Sequence, residues 1–266
     1  MHLVCTSLRD IKAICGRSIF YVRNLVLRNR RFLKDLEKAP GNETSSAINV
    51  LAEKCNSQSY LEIGLHHGLT FEAVNISSKV GVDPKPLFCR LRLPNECRIF
   101  KATSDVFFSK NVEKFDFIFL DGLHEFGQTW RDFVNAASCL TERGFILIDD
   151  TVPCDRYSAI PNQFISYQER ELSGLPQNGS WHGDVFKIIC ILSDYFENEL
   201  AWFTFFDLSN PKTLVFKKVN QSFESIIQKD IDFKKYSSIT YDEIFSHERP
   251  SIFHPSSLDD IIKIIR

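Results

Sequence analysis

No apolar run in this chain approaches the ~20 residues needed to cross a bilayer. The nearest, Ser18 to Leu27, is interrupted by Arg23 and Asn24, so no membrane span is expected. A secretory leader with a clean apolar centre is also missing. The eight cysteines (Cys5, Cys15, Cys55, Cys89, Cys97, Cys139, Cys154, Cys190) include no C-x-x-C, which argues against a zinc ribbon or a disulfide framework. They are expected to be reduced, mostly buried thiols of a cytoplasmic protein. Charge of one sign is lacking too: 32 basic against 34 acidic residues leave a net −2, without global attraction to nucleic acid. With 44% hydrophobic and 25% charged residues in 266, the bulk is expected to fold as one large α/β domain with additions.

One further lack is local. Tyr60 to Asp83, Y-L-E-I-G-L-H-H-G-L-T-F-E-A-V-N-I-S-S-K-V-G-V-D, reads as a strand, a glycine turn from Gly64 to Gly68, a helix opening near Leu69 and a second strand, Val80 to Val82. A pyrophosphate cradle would need G-x-G-x-x-G, whereas Leu65 and His66 fill the intervening positions. Phosphate binding is therefore disfavoured. Asp83, twenty-one residues after Glu62, stands at the tip of the neighbouring strand, where a carboxylate can accept both hydrogen bonds of a ribose diol. The spacing suits an adenosine ligand without a phosphate, although a glycine pair alone also fits an ordinary strand-to-helix turn.

Residues 1–38 carry nine Lys or Arg against Asp10, Asp35 and Glu37, with apolar residues loosely at helical spacing. This is read as a basic helical arm, residues 1–43, which packs on the domain, lies across a second copy, or meets an anionic surface. Pro40-Gly41-Asn42 breaks the chain, and Thr44 or Ser45 can cap a helix running to about Cys55. A third strand is expected at Arg98 to Lys101, after which Ser104 either contacts an adenine ring or caps a helix from Asp105 to Asn111.

Phe115 to Leu120 is an apolar run of the kind buried on both faces, and it ends at Asp121-Gly122. A helix with Phe126, Trp130, Phe133 and Ala137 on one side follows, then a buried strand from Gly144 that ends at Asp149-Asp150. Five strands alternating with helices imply a parallel sheet with its ligands at the carboxyl ends. Thr151 to Trp181 lacks clear periodicity and is expected to be a lid or binding loop, with Arg156, Tyr157 and Trp181 as candidate substrate contacts. A helix from about Gly183 to Glu199, an antiparallel strand pair (Trp202 to Asp207, Thr213 to Lys217) and a tail of short helices around Ile226, Ile244 and Ile261 complete the chain.

The ordered set Y-L-E-I-G…G-V-D-P…F-D-F-I-F-L-D-G-L-H-E…G-F-I-L-I-D-D-T-V-P…G-D-V-F-K resembles the class I S-adenosylmethionine-dependent methyltransferases. Within them it looks like the small-molecule O-methyltransferases that act on macrolide sugars or catechols. The resemblance implies a Rossmann-like α/β fold over residues 44–219, with seven strands in the order 3-2-1-4-5-7-6, strand 7 antiparallel, and a helical extension over 220–266. It implies S-adenosylmethionine as cofactor, with Glu62, Gly64, Gly68, Asp83, Ser104 and Asp121 at cofactor positions.

Methyl transfer needs an aligned nucleophile that loses its proton, by a metal or by a base. Asp121, Asp149 and Asp150 lie at the ends of strands adjacent in this fold and form a hard-oxygen set suited to Mg²⁺; His124 is placed to take a proton. Each also has a plain reading as a turn, cap or packed residue. His66 and His67 are read as loop residues. The expected partner is a small-molecule acceptor, a sugar or glycosylated metabolite, and no nucleic acid. Three alternatives stay open: a metal-independent N- or O-methyltransferase of this fold, a nicotinamide-dependent oxidoreductase, and a non-catalytic binding protein that uses the basic arm.

Overall fold

The computed structural model describes residues 42–87, 96–176, 181–218, 221, 229–246 and 251–265. The basic arm and the tail segment around Ile226 lie outside them. The described chain builds α1 (Glu43–Lys54), β1 (Ser59–Ile63), α2 (Leu69–Ala73), β2 (Ser78–Val82), β3 (Cys97–Phe100), α3 (Ser104–Phe108), β4 (Phe115–Leu120), α4 (Phe126–Ser138) and β5 (Leu140–Ile148). Then come α5 (Gln163–Leu172), α6 (Lys187–Tyr195), β6 (Leu200–Phe205), β7 (Lys212–Lys217), α7 (Phe233–Ser237), α8 (Tyr241–Ile244), a 3₁₀ turn (Ser251–Phe253), β8 (Pro255–Ser256) and α9 (Leu258–Ile264).

The strands form one sheet in the order β3-β2-β1-β4-β5-β7-β6-β8. β7 runs antiparallel to both β5 and β6. This is the expected arrangement, with one addition at the edge: the two-residue β8 pairs parallel to β6 at Thr204 and Phe205. So short a strand carries no apolar periodicity for a sequence reading to detect.

Alternation along β4 explains the two layers. Phe117 and Phe119 point to one face and meet Ile48 and Leu51 of α1, Phe71 of α2 and Ile261 of α9. Ile118 and Leu120 point to the other, among Phe126, Trp130 and Phe133 of α4 and Ile188, Ile189 and Leu192 of α6. A strand covered on both faces has no polar side, which is why its sequence is an unbroken apolar run. In-register pairing of Leu61, Ile118, Ile146 and Val215 carries one apolar row across β1, β4, β5 and β7.

Four local expectations are corrected. Thr103, not Ser104, caps α3, its hydroxyl accepting from the Val106 N–H. β5 starts at Leu140 rather than Gly144, with a register shift against β4 between Phe115 and Phe117. The helix expected over residues 183–199 is shorter, Lys187–Tyr195. The segment expected to be irregular contains α5. That helix buries only Ser166 and Arg170, so its inner side is polar and hydrophobic periodicity could not reveal it. Arg170 pairs with Asp155 at 2.8 Å, and the Ser166 hydroxyl donates to the Tyr157 carbonyl at 2.7 Å.

α4 takes its N-terminal partner from a distant element. Asp184 accepts from the Phe126 N–H at 2.7 Å and pairs with Lys187 at 2.9 Å, whose ammonium also donates to the Ser237 carbonyl. Asp184 and Lys187 are both buried. Removing one partner leaves the other charge buried and unpaired, so Asp184→Ala is expected to destabilise the fold by about 3 kcal/mol in urea titration. Asp184→Asn, which still accepts from Phe126, is expected to cost less. Wild-type stability in Asp184→Asn would deny the ion pair its role.

Candidate active site

Four strand ends converge here. The Gly64 N–H donates to Val82 O, the Asp121 N–H to Ile63 O and the Asp149 N–H to Leu120 O, so the exits of β1, β2, β4 and β5 lie side by side. Gly64 has φ +90°, and a Cβ there would stand 1.7 Å from the Asp121 carbonyl oxygen. Only glycine permits both the backbone conformation and the close pass. Gly68, at φ 71°, opens α2.

Asp83 closes the turn between them. Its Oδ2 accepts the N–H groups of Leu65 at 3.0 Å and His66 at 2.9 Å, and its Oδ1 accepts Lys85 N–H at 2.6 Å. The amides that would cradle a phosphate are occupied by a carboxylate, which would itself repel one. An acceptor at this place fits a diol. Glu62 lies beneath the turn, 2% exposed, and accepts the Tyr60 hydroxyl at 2.5 Å. Burial above all, with Asp121 nearby, pushes its carboxyl up to about 8. Glu62 is thus held beneath the turn by Tyr60. The rings of His66 and His67 meet edge to face at 4.1 Å.

Ser104 turns toward α4 and accepts from Gln128 Nε2 at 3.2 Å; the same amide donates to Asp132 at 3.0 Å. Burial, opposed by hydrogen bonds from Ser104 and Gln128, raises the Asp132 carboxyl to about 6. Gln128 and Asp132 escaped the sequence reading. Their signal was two polar residues one turn apart beside the apolar face of α4.

Past β4 and β5 lies a charged cluster. His124 Nε2 is 3.5 Å from Asp121 Oδ1, and its Nδ1 is 3.1 Å from Asp150 Oδ2 and 2.9 Å from the Trp181 carbonyl. The Trp181 indole stacks on the imidazole at 4.7 Å and donates to Ile160 O. Arg156 instead pairs with Asp242, and Tyr157 serves through its backbone; neither is brought into the cluster. Asp150 sits at φ 58°.

Of the three aspartates expected to hold a metal, Asp149 has polar partners of its own. Asp149 Oδ1 accepts from Lys212 Nζ at 2.8 Å, Asn210 Nδ2 at 2.9 Å and the Asp150 N–H at 2.8 Å. Donor atoms of Asp121, His124 and Asp150, by contrast, all lie within 4.8 Å of one another. Among the described residues these three could share an ion, and Asp149 is not grouped with them. Lys212, Asn210 and His182 were not anticipated, because they come from the β6–β7 connection and β7 and from the stretch before α6, roughly thirty to sixty residues further along the chain.

Crowded carboxylates resist ionising. Burial and the charge of Asp149 raise the carboxyls of Asp121 and Asp150, while His124 opposes the rise in both. Burial alone would lower His124, but its hydrogen bond to Asp121 and the charge of Asp150 outweigh that and lift it to about 9.

A parallel sheet in this order with β7 reversed, and a glycine turn latched by a strand-end carboxylate, define a class I, S-adenosylmethionine-dependent methyltransferase. Residues 14–151, more than half of the chain, match the family model described as Methyltransferase domain, and the chain belongs to that family. No curated protein is a significant match. A cofactor-bound protein from MTB is 10% identical, with 67% of this chain and 81% of that one covered and a TM-score of 0.50; at that identity it shows the fold. Two further solved structures are the SAH-bound methyltransferase PaMTH1 of Podospora anserina (13% identity, 82% and 100% covered, TM-score 0.47) and an O-methyltransferase from Bacillus cereus in complex with SAH (14%, 71% and 90%, 0.43). No helix of the described residues is long and apolar enough to cross a membrane.

The raised His124 value has a sign. A histidine that binds its proton more tightly when folded contributes stability in full below its ordinary value of 6.5 and loses it as pH rises through about 9. The raised Asp121 and Asp150 act in the same direction at lower pH, since the folded state there keeps protons that the unfolded state has released. For metal-free protein Tm is expected to fall between pH 6.5 and pH 9, and the fall should flatten in His124→Gln. A Tm rising over that interval would contradict the charge arrangement.

Proposed function

We propose that the protein transfers the methyl group of S-adenosylmethionine to a hydroxyl oxygen of a small molecule, a sugar or glycosylated metabolite, with a divalent cation such as Mg²⁺. The observation that carries this reading is the convergence of Asp121, His124 and Asp150 beside the Asp83-latched glycine turn. It supports a donor site and an acceptor-activating site within one crevice.

The turn from Gly64 to Gly68, with Asp83, would hold the adenosine part, and Ser104, near Gln128 and Asp132, would border its base. Transfer is an in-line displacement at a sulfonium, so the chain must orient the acceptor and remove its proton. Asp121 and Asp150 present the hard oxygens that would hold the cation, which when bound supplies Lewis acidity to an adjacent hydroxyl. Trp181 O holds His124 Nδ1 as the donor, leaving Nε2, on the Asp121 side, to take the acceptor's proton. His124 does this at neutral pH only when positive charge between the two carboxylates offsets the pull that keeps it protonated. The shared reach of all three donors favours a second reading, in which His124 is itself a ligand.

Calorimetric titration with S-adenosylmethionine and S-adenosylhomocysteine tests the first half. Wild type is expected to bind both, and Asp83→Ala to bind at least about tenfold more weakly, since the turn loses its latch as well as the diol acceptor. Absence of binding to wild type would overturn the assignment. Titration with Mn²⁺ tests the second half. His124→Gln is expected to keep the wild-type metal affinity if His124 is the base and to lose it if His124 is a ligand, while Asp150→Asn loses affinity on either reading.

A further inference from the structure

We propose that Asn210, in the connection between β6 and β7, is a positioning residue that joins the acidic pair Asp149-Asp150 to the far end of the 151–181 connection through His182. The inference rests on the reading of the cluster as the transfer site, but its geometry and its test do not require a metal or an acceptor.

One carboxamide serves both sides. Asn210 Nδ2 donates to Asp149 Oδ1 at 2.9 Å and to Asp150 Oδ1 at 3.2 Å. Its Oδ1 therefore faces the other way and accepts from His182 Nε2 at 3.1 Å. His182 is 3% exposed, and its buried Nδ1 has no hydrogen-bond partner among the described residues. The bond to Asn210 is thus the short polar contact of the ring, whose Nε2 also lies 3.9 Å from Asp150 Oδ1. The amides of His182 and Gly183 donate to the Ser158 carbonyl at 3.0 and 2.9 Å, so the same point ties the end of the connection to its beginning. Trp181, the preceding residue, stacks on His124. A shift of His182 would accordingly be felt on the imidazole as well as on the acidic pair.

The hairpin itself is held firmly. Lys212 Nζ donates to Asp149 Oδ1 and to the Asn210 carbonyl at 3.1 Å. The hydroxyl of Thr213 lies 2.8 Å from those of both Thr151 and Thr204. Asn210 is the one residue of this hairpin whose side chain touches both the acidic pair and His182, and its two ends can be cut separately.

Amide hydrogen exchange on the full-length chain, resolved at residues 149–151 and 182–183, separates the two connections. Asn210→Ala is expected to raise exchange at both places by about tenfold, the effect of losing an ordinary hydrogen bond. Asn210→Asp, nearly isosteric, keeps the acceptor for His182 and loses the donor. Exchange should then rise at the acidic pair and stay at the wild-type level at 182–183. His182→Ala should show the reverse, and His182→Gln, which can still donate, should restore protection. Wild-type exchange at both places in Asn210→Ala, or a uniform rise at both in Asn210→Asp and in His182→Ala alike, would overturn the proposal. Titrating the same proteins with S-adenosylmethionine separates this result from the functional assignment. A wild type that fails to bind sinks the assignment and leaves the exchange outcome to stand or fall alone.

Discussion

Everything at the carboxyl end of the sheet depends on keeping three carboxylates together. Asp121, Asp149 and Asp150 come from the ends of two adjacent strands, and Asp149 and Asp150 are buried. Left alone they would repel one another or take up protons. The chain answers with two cations of different kinds. Lys212, 2% exposed, pairs with Asp149 at 2.8 Å. His124 bridges Asp121 and Asp150 with a proton that it can give up. Lys212 thus answers one carboxylate, and His124 lies between the other two.

A carboxylate also organises the glycine turn. Asp83 belongs to β2's end, yet its hydrogen bonds go to the turn after β1. The carboxylate shapes the backbone before it meets any ligand. Glu62, an acidic residue of the same motif, is sealed beneath by Tyr60. A motif read as a row of ligand contacts is in three dimensions mostly a set of supports for one open surface.

The parts of the fold that were legible in the sequence are those dictated by one element's own environment. β4 is buried on both faces, so its apolar run and the abrupt Asp121-Gly122 ending identified it and placed Asp121. Asp149 and Asp150 followed from the same reasoning at β5. Illegible were the features that depend on a second element arriving from elsewhere. That Asp149 pairs with Lys212 follows only once β7 inserts beside β5. Asn210 and His182 become partners of the acidic pair only through that insertion. Thr103 and Ser104 are both competent caps in sequence, and the hydroxyl left over was decided by where Gln128 of α4 stands.

Helix α5 is built inside out. It buries an arginine and a serine hydroxyl, while Phe164 and Leu172 stand 75% exposed. Lifting it from its seat would hand water an ion pair and a hydroxyl, groups that water solvates well, and would uncover little new oil. Such a motion has almost no heat-capacity signature. The seat of α5 is thus held by a kind of force different from the one that holds the sheet.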